Sequence, residues 1–181
     1  MIRLIDKRLS EMSIREAETR GRNILKDILK FDDNSDTTDF QTTKIKECLD
    51  ANSTTNGFKF GYEIKIREKE RFNGCDTLIM EVEKFHNLSF YKYLHELQEI
   101  YYVVIFGVNA DDVYFFRLSD IEQNLSELKI KSVNCNFQTL TDSETKKDKD
   151  CIFLPKSLAS SRFSFTVSPF DGTGKYSWYR Y

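Results

Sequence analysis

The chain has 181 residues, 27 Lys and Arg against 29 Asp and Glu for a formal charge of −2, and a hydrophobic fraction of 40%. Charged residues at 31% and aromatics at 14% exclude a disordered or collagen-like chain, and one domain of this length buries roughly 70% of its unfolded surface. No apolar run approaches the ~18 to 20 residues of a membrane span, and the start MIRLIDKRLS lacks the apolar stretch of a signal peptide, so a cytoplasmic location is expected.

A helix is predicted from about Ser13 to Lys30. Ser13 and Glu16 have capping-box spacing, and Ile14, Ala17, Gly21, Ile24, Leu25 and Ile28 form one apolar stripe. Glu18 falls inside that stripe, which predicts a carboxylate turned towards the core side. Residues 32 to 56 are polar and read as a loop, a short strand or helical turn around Thr43 to Leu49, and another loop through ANSTTNG. Phe58, Phe60, Tyr62, Ile64 and Ile66 then alternate with Lys59, Gly61, Glu63, Lys65 and Arg67, giving a strand with one apolar and one polar face. Leu78, Met80 and Val82 alternate with Ile79, Glu81, Glu83 and Phe85 as a second strand, and Asn73-Gly74 between the two signals a hairpin.

Downstream, Ser89 precedes a predicted helix over 90–100, and YYVVIFGV (101–108) reads as a buried central strand. VYFFRL (113–118) returns as its hairpin partner, and Ser119 with Glu122 forms a capping box opening a short helix to about Leu128. TDSETKKDKD (141–150) reads as a solvated loop, RFSFTV (162–167) as a strand, and the tail KYSWYRY is aromatic and basic. This order predicts an α/β fold (α+β being the alternative) with a mixed central sheet flanked by helices. A single domain over 1–181 is expected, its core at about 13–128 and a β-rich extension at about 129–181.

Cys48, Cys75, Cys135 and Cys151 contain no CxxC pair, which excludes zinc-finger and redox motifs and leaves free, buried thiols as the expectation. Only His86 and His95 are present, too few for a three-histidine zinc site. The frequent Lys, Asn, Ile, Phe and Tyr all have A/T-rich codons, which suggests a microbial or phage genome.

The register of the predicted hairpin decides which charges meet. A three-residue loop, Phe72-Asn73-Gly74, pairs Glu63 with Glu83 and Lys65 with Glu81, and puts Ile64 and Ile66 on one face with Met80 and Leu78. Glu81 and Glu83, two apart on a strand, then lie roughly 7 Å apart on the polar face. Carboxylates opposed across strands repel, and a cation between them removes the repulsion. Carboxylate oxygens with open water positions suit Mg²⁺, for which Mn²⁺ substitutes, and a nearby lysine can position or deprotonate a water.

Residues 13 to 118 thereby resemble the PD-(D/E)xK, or restriction-endonuclease-like, nucleases. The resemblance rests on a helix carrying an inward acid, a hairpin with an acid on the first strand and E-V-E on the second, and then a helix and a buried strand. It implies a metal-dependent nuclease that hydrolyses phosphodiester bonds, with DNA preferred to RNA as the nucleic-acid partner and the active form either a monomer or a homodimer. The family's first acid would match Glu63 (Asp76 is the alternative) and its paired motif would match Glu81-Val82-Glu83, with Glu83 in place of the usual lysine. Glu63, Glu81 and Glu83 would hold the metal, Lys65 or Lys84 would supply the amine, and Glu18 would support the site from the first helix.

The competing reading of the same residues is a solvated sheet face with cross-strand ion pairs. On it the chain would be a non-catalytic binding or inhibitor protein, of phage or immunity type, on a degenerate nuclease fold. A third reading is a nucleic-acid-binding accessory module. It would use the alternating basic residues 65, 67, 69 and 71 and the aromatic tail.

Overall fold

The computed structural model describes residues 12–31, 37–42, 48–67, 75–107, 111–136, 146–167 and 174–180. The first helix, α1 (Ile14–Phe31), starts where its capping box predicts. The Ser13 amide donates to Glu16 Oε2 at 2.7 Å, and the Glu16 amide donates to Ser13 Oγ at 3.3 Å. Ile24, Leu25 and Ile28 are buried on its inner face, whereas Glu18 is exposed, so this acid does not turn to the core side as expected.

The strands β1 (Thr37–Thr42), β2 (Ala51–Thr55) and β3 (Phe58–Arg67) form an antiparallel meander. β2 corrects the reading of ANSTTNG as a loop, because a polar composition hid a strand. The two-residue connection Asn56-Gly57 has φ values of 51° and 81°, the left-handed pair that a tight twisted hairpin requires. Among the described residues the Asn-Gly pair that folds a hairpin is 56–57, and Asn73-Gly74 lies outside them.

β3 has a neighbour on each edge. Antiparallel β2 lies on one side, and β5 (Glu99–Phe106) runs parallel on the other, with Glu63 beside Tyr102 and Lys65 beside Val104. No edge is left for β4 (Thr77–Glu81), which pairs with β8 (Lys146–Pro155) in a second sheet of order β4-β8-β7, where β7 is Lys129–Asn136. The predicted hairpin between residues 58–66 and 78–85 does not form, and Glu81 stands opposite Cys151 instead of Lys65. The chain turns helical at Val82, so α2 (Val82–Leu94) begins within the E-V-E run and eight residues before the predicted helix.

β6 (Asp112–Arg117) pairs antiparallel with β5 as predicted, and α3 (Leu118–Asn124) follows. The expected Ser119–Glu122 box is not made. Ser119 Oγ donates instead to the buried carboxylate of Glu99, and Glu122 accepts from Ser89 Oγ at 2.7 Å. The run 141–150 is in part the start of β8, its residues 141–145 lying outside the described set. β9 (Ser161–Val167) and β10 (Gly174–Arg180) complete a seven-stranded mixed sheet of order β1-β2-β3-β5-β6-β9-β10. The architecture is thus α/β, a central mixed sheet with three helices among the described residues.

β5 divides the interior. Val103 and Ile105 point to a core shared with Ile24, Leu25 and Ile28 of α1, together with Tyr62, Val113, Phe115 and Phe163. Ile100, Tyr102, Val104 and Phe106 point the other way, to a core with Phe85 and Leu88 of α2 and with Leu78, Met80, Ile152 and Leu154 of the second sheet. Ile64 and Ile66 pack on the α1 side, away from Met80 and Leu78, contrary to the predicted shared face. His86 and His95 are exposed, and of the described cysteines Cys151 is buried, Cys48 half-buried and Cys75 exposed, none of the three in a disulfide.

Gly21 sets how closely α1 approaches β3. A Cβ there would lie 3.0 Å from Ile64 Cγ2 and 3.2 Å from Ile66 Cδ1. Gly21→Val should therefore destabilise the protein by about 1–3 kcal/mol through overpacking, read from the midpoint of urea unfolding.

Candidate active site

Alternation along β3 puts Tyr62, Ile64 and Ile66 against α1 and turns Glu63, Lys65 and Arg67 to the opposite face. Glu63 is 3% exposed, at the middle of the sheet beside Tyr102. A charged carboxylate at that depth needs cations, and two reach one of its oxygens. Lys65 Nζ lies 2.6 Å from Oε1, from the same strand, and Lys84 Nζ lies 3.1 Å from it, from the first turn of α2.

Burial by itself would pull the Lys65 ammonium down. Glu63, Tyr102 and Asp50 outweigh it and raise the group above its ordinary value, so Lys65 stays charged at neutral pH. It is a cation to orient and stabilise, not a ready base. Tyr102 is also pushed up, by burial first and by Glu63 and Glu81, against Arg67 and Lys65. Its hydroxyl donates to the Ile79 carbonyl at 3.0 Å and so ties β5 to β4 beside the site. Burial raises the Cys48 thiol, with Lys84 lowering it and Glu63 raising it, so this half-buried group also lies within the field of the site.

A second carboxylate, Asp50, joins from the residue before β2. The strand ends one residue short, and the Asp50 side chain takes its place, Oδ2 accepting from the Ile64 amide at 2.8 Å. Arg22 on α1 holds the same residue twice, its Nε donating to the Asp50 carbonyl at 3.1 Å and its Nη2 to Oδ1 at 3.3 Å. Burial, and then the charge of Glu63, push the Asp50 carboxyl above its usual range despite the help of Ile64, Lys65 and Arg22.

The structure thus brings together Glu63, Lys65 and Lys84 of the sequence-predicted residues. Glu81, the last residue of β4, gives its carboxylate to Lys149 Nζ, at 3.1 Å to both oxygens. Glu83 is exposed in the first turn of α2, so the two acids do not share a strand face. Glu18 is exposed on α1, which covers the face of β3 opposite Glu63, and Asp76 is exposed just before β4. Asp50 escaped the sequence reading because ANSTTNG looked like a loop. The signal that finds it is an acid directly before a short segment that Asn56-Gly57 folds back on β3. Among the described residues no three His, Cys, Asp or Glu side chains converge as a ready metal cage.

Asp50 carries a pH signature in the acid range. Its folded-state pKa exceeds its unfolded value, so the ionised carboxylate costs stability above the folded pKa, and that cost disappears as pH falls below both values. In chelator, Asp50→Asn should therefore be more stable than the parent at pH 7. The gap should narrow as pH drops through the acid range, followed by thermal unfolding at a series of pH values.

No protein-family model matches the chain, and no curated protein matches it in sequence. Among solved structures, the fold is similar to Hjc of Archaeoglobus fulgidus, a Holliday junction resolvase from an archaeal hyperthermophile. The identity is 12% and the TM-score 0.46, over 78% of this chain and 86% of that one.

Proposed function

We propose that the protein is a metal-dependent nuclease acting on DNA in the cytoplasm, with Asp50, Glu63 and Lys65 as its reacting set. The observation that carries this reading is the buried Glu63 carboxylate, with a lysine two residues along the same strand and a second acid, Asp50, whose proton affinity Glu63 raises. Two acids that repel each other inside a protein are a poor structural device and a good cation site. The donors are hard carboxylate oxygens, which fit Mg²⁺ or Mn²⁺. When bound, such an ion polarises a phosphodiester and acidifies a water.

The chain's own residues do the rest. Asp50 and Glu63 would hold the ion, and Arg22 with the Ile64 amide fixes the Asp50 carboxylate. Lys65 donates to the attacking water or to a phosphate oxygen, and Lys84 adds a second positive charge beside Glu63. Glu63-Ile64-Lys65 is itself an acid-x-Lys motif, so the resemblance to PD-(D/E)xK nucleases fits better here, with Asp50 as first acid, than at Glu81-Val82-Glu83. On this reading Glu81, Glu83 and Glu18 are outside the metal's reach. DNA as substrate follows from that resemblance.

With Mg²⁺ or Mn²⁺, the protein should nick or linearise DNA, and chelator should stop it. Assayed well below their own unfolding midpoints, Glu63→Gln and Lys65→Met should each lower the cleavage rate about 10²-fold or more. Full cleavage by Glu63→Gln would overturn the assignment.

A further inference from the structure

Beyond the end of β4, the second sheet narrows to two strands. β4 pairs with residues 151–155 of β8, whereas β7 pairs with 146–153, so residues 132–136 and 146–150 run on as a two-stranded ribbon. Its base lies beside the candidate active site. Lys149 on the ribbon reaches Glu81, and three residues later Lys84 reaches Glu63.

Register sorts the charges of β7 and β8 by face. Lys129 stands opposite Phe153, Lys131 opposite Cys151, Val133 opposite Lys149, and Cys135 opposite Lys147. Residues opposed across antiparallel strands share a face, so Lys129, Lys131, Lys147 and Lys149 all project to one side. The other side carries Ser132 opposite Asp150 and Asn134 opposite Asp148, the last two joined by a hydrogen bond of 2.8 Å. Lys129, Lys131 and Lys147 are exposed, as are Asp148 and Asp150.

This segregation sets like charges side by side on the strand. Lys131 lies close enough to Lys129 to pull its ammonium down, although Lys129 is fully solvated. Lys129 also leans over the Phe153 ring at 5.8 Å, which orders its stem on the sheet. An ordinary solvated ribbon would mix the two signs on each face and avoid that repulsion.

We propose that the lysine face of the β7–β8 ribbon binds the phosphate backbone of a nucleic-acid duplex. Like charges held close on a rigid strand lose their repulsion when a polyanion covers them, and each phosphate contact releases condensed counterions. A two-stranded ribbon is also an element that a duplex major groove admits. The identity of the polyanion as nucleic acid rests on the nuclease reading. The ribbon's own role is binding, which is read without turnover.

The test is binding of a blunt linear duplex DNA, labelled at one end, to the full chain in chelator over a series of salt concentrations. Lys129→Gln/Lys131→Gln/Lys147→Gln should weaken binding and make the slope of log affinity against log salt shallower by about 2.7, three phosphates at roughly 0.9 each. Ser132→Ala/Asn134→Ala on the opposite face should leave both unchanged. All five side chains are exposed, and an unshifted unfolding midpoint would show that the fold persists. The inference is overturned if the lysine variant binds like the parent, if the parent binds no duplex, if the opposite-face variant is equally impaired, or if polyglutamate competes as well as DNA. Salt-dependent binding through the lysines with no cleavage under any metal would keep the ribbon and remove the nuclease reading. Metal-dependent cleavage unaffected by the lysine variant would do the reverse.

Discussion

A carboxylate that is 3% exposed is costly to bury unless cations surround it, and the arrangement of this chain around Glu63 follows from that condition. Lys65 comes with the strand at no extra cost in topology, because two residues along a strand return to the same face. Lys84 has to be delivered by a different element. α2 must start immediately after β4, and β4 must be anchored, before an ammonium from its first turn can stand 3.1 Å from Glu63. Asp50 likewise depends on α1, through Arg22, and on β2 ending one residue early.

The two cores serve this site from opposite sides. Packing of α1 on Ile64 and Ile66 fixes the height and rotation of β3, and hence the direction of the Glu63–Lys65 face. Packing of Phe85 and Leu88 against Ile100, Val104 and the second sheet fixes α2. β5 contributes to both, which is why its sequence is apolar almost without interruption. Tyr102 alone among its inward residues spends a hydroxyl at the site, and that hydroxyl joins the two sheets through the Ile79 carbonyl.

Elements whose fate is decided by their own residues were readable in sequence: α1 from its stripe and capping box, β3 from its alternation, and β5–β6 from apolar content and a short turn. Those decided by partners were not. β2 is polar because its ladder bonds and the 2.9 Å Ser53–Tyr62 hydroxyl contact, rather than apolar side chains, hold it. β4 has the alternation of a hairpin partner for β3, yet β2 and β5 already occupy both edges of that strand, a fact that lies 20 to 40 residues away in sequence. The same limit governed the site. Glu63, Lys65 and Lys84 were visible as chemistry-bearing residues, but E-V-E drew attention as a strand motif when it spans a strand-to-helix switch. Asp50, hidden in an apparent loop, is placed beside Ile64 only by the Asn56-Gly57 turn.

The pairing of β4 with β8 also gives the site a timetable. Among the described residues β4 has no other strand neighbour, and β8 lies some 70 residues downstream. During synthesis, Asp50, Glu63 and Lys65 leave the ribosome long before residues 151–155. The meander β1–β2–β3 can form at once from local contacts, whereas the anchor that presents Lys84 waits for a long loop to close. A nascent or truncated chain therefore holds the acids without their second lysine. Assembly of the complete charge set becomes a late folding event, reserved for chains that have been made through the ribbon.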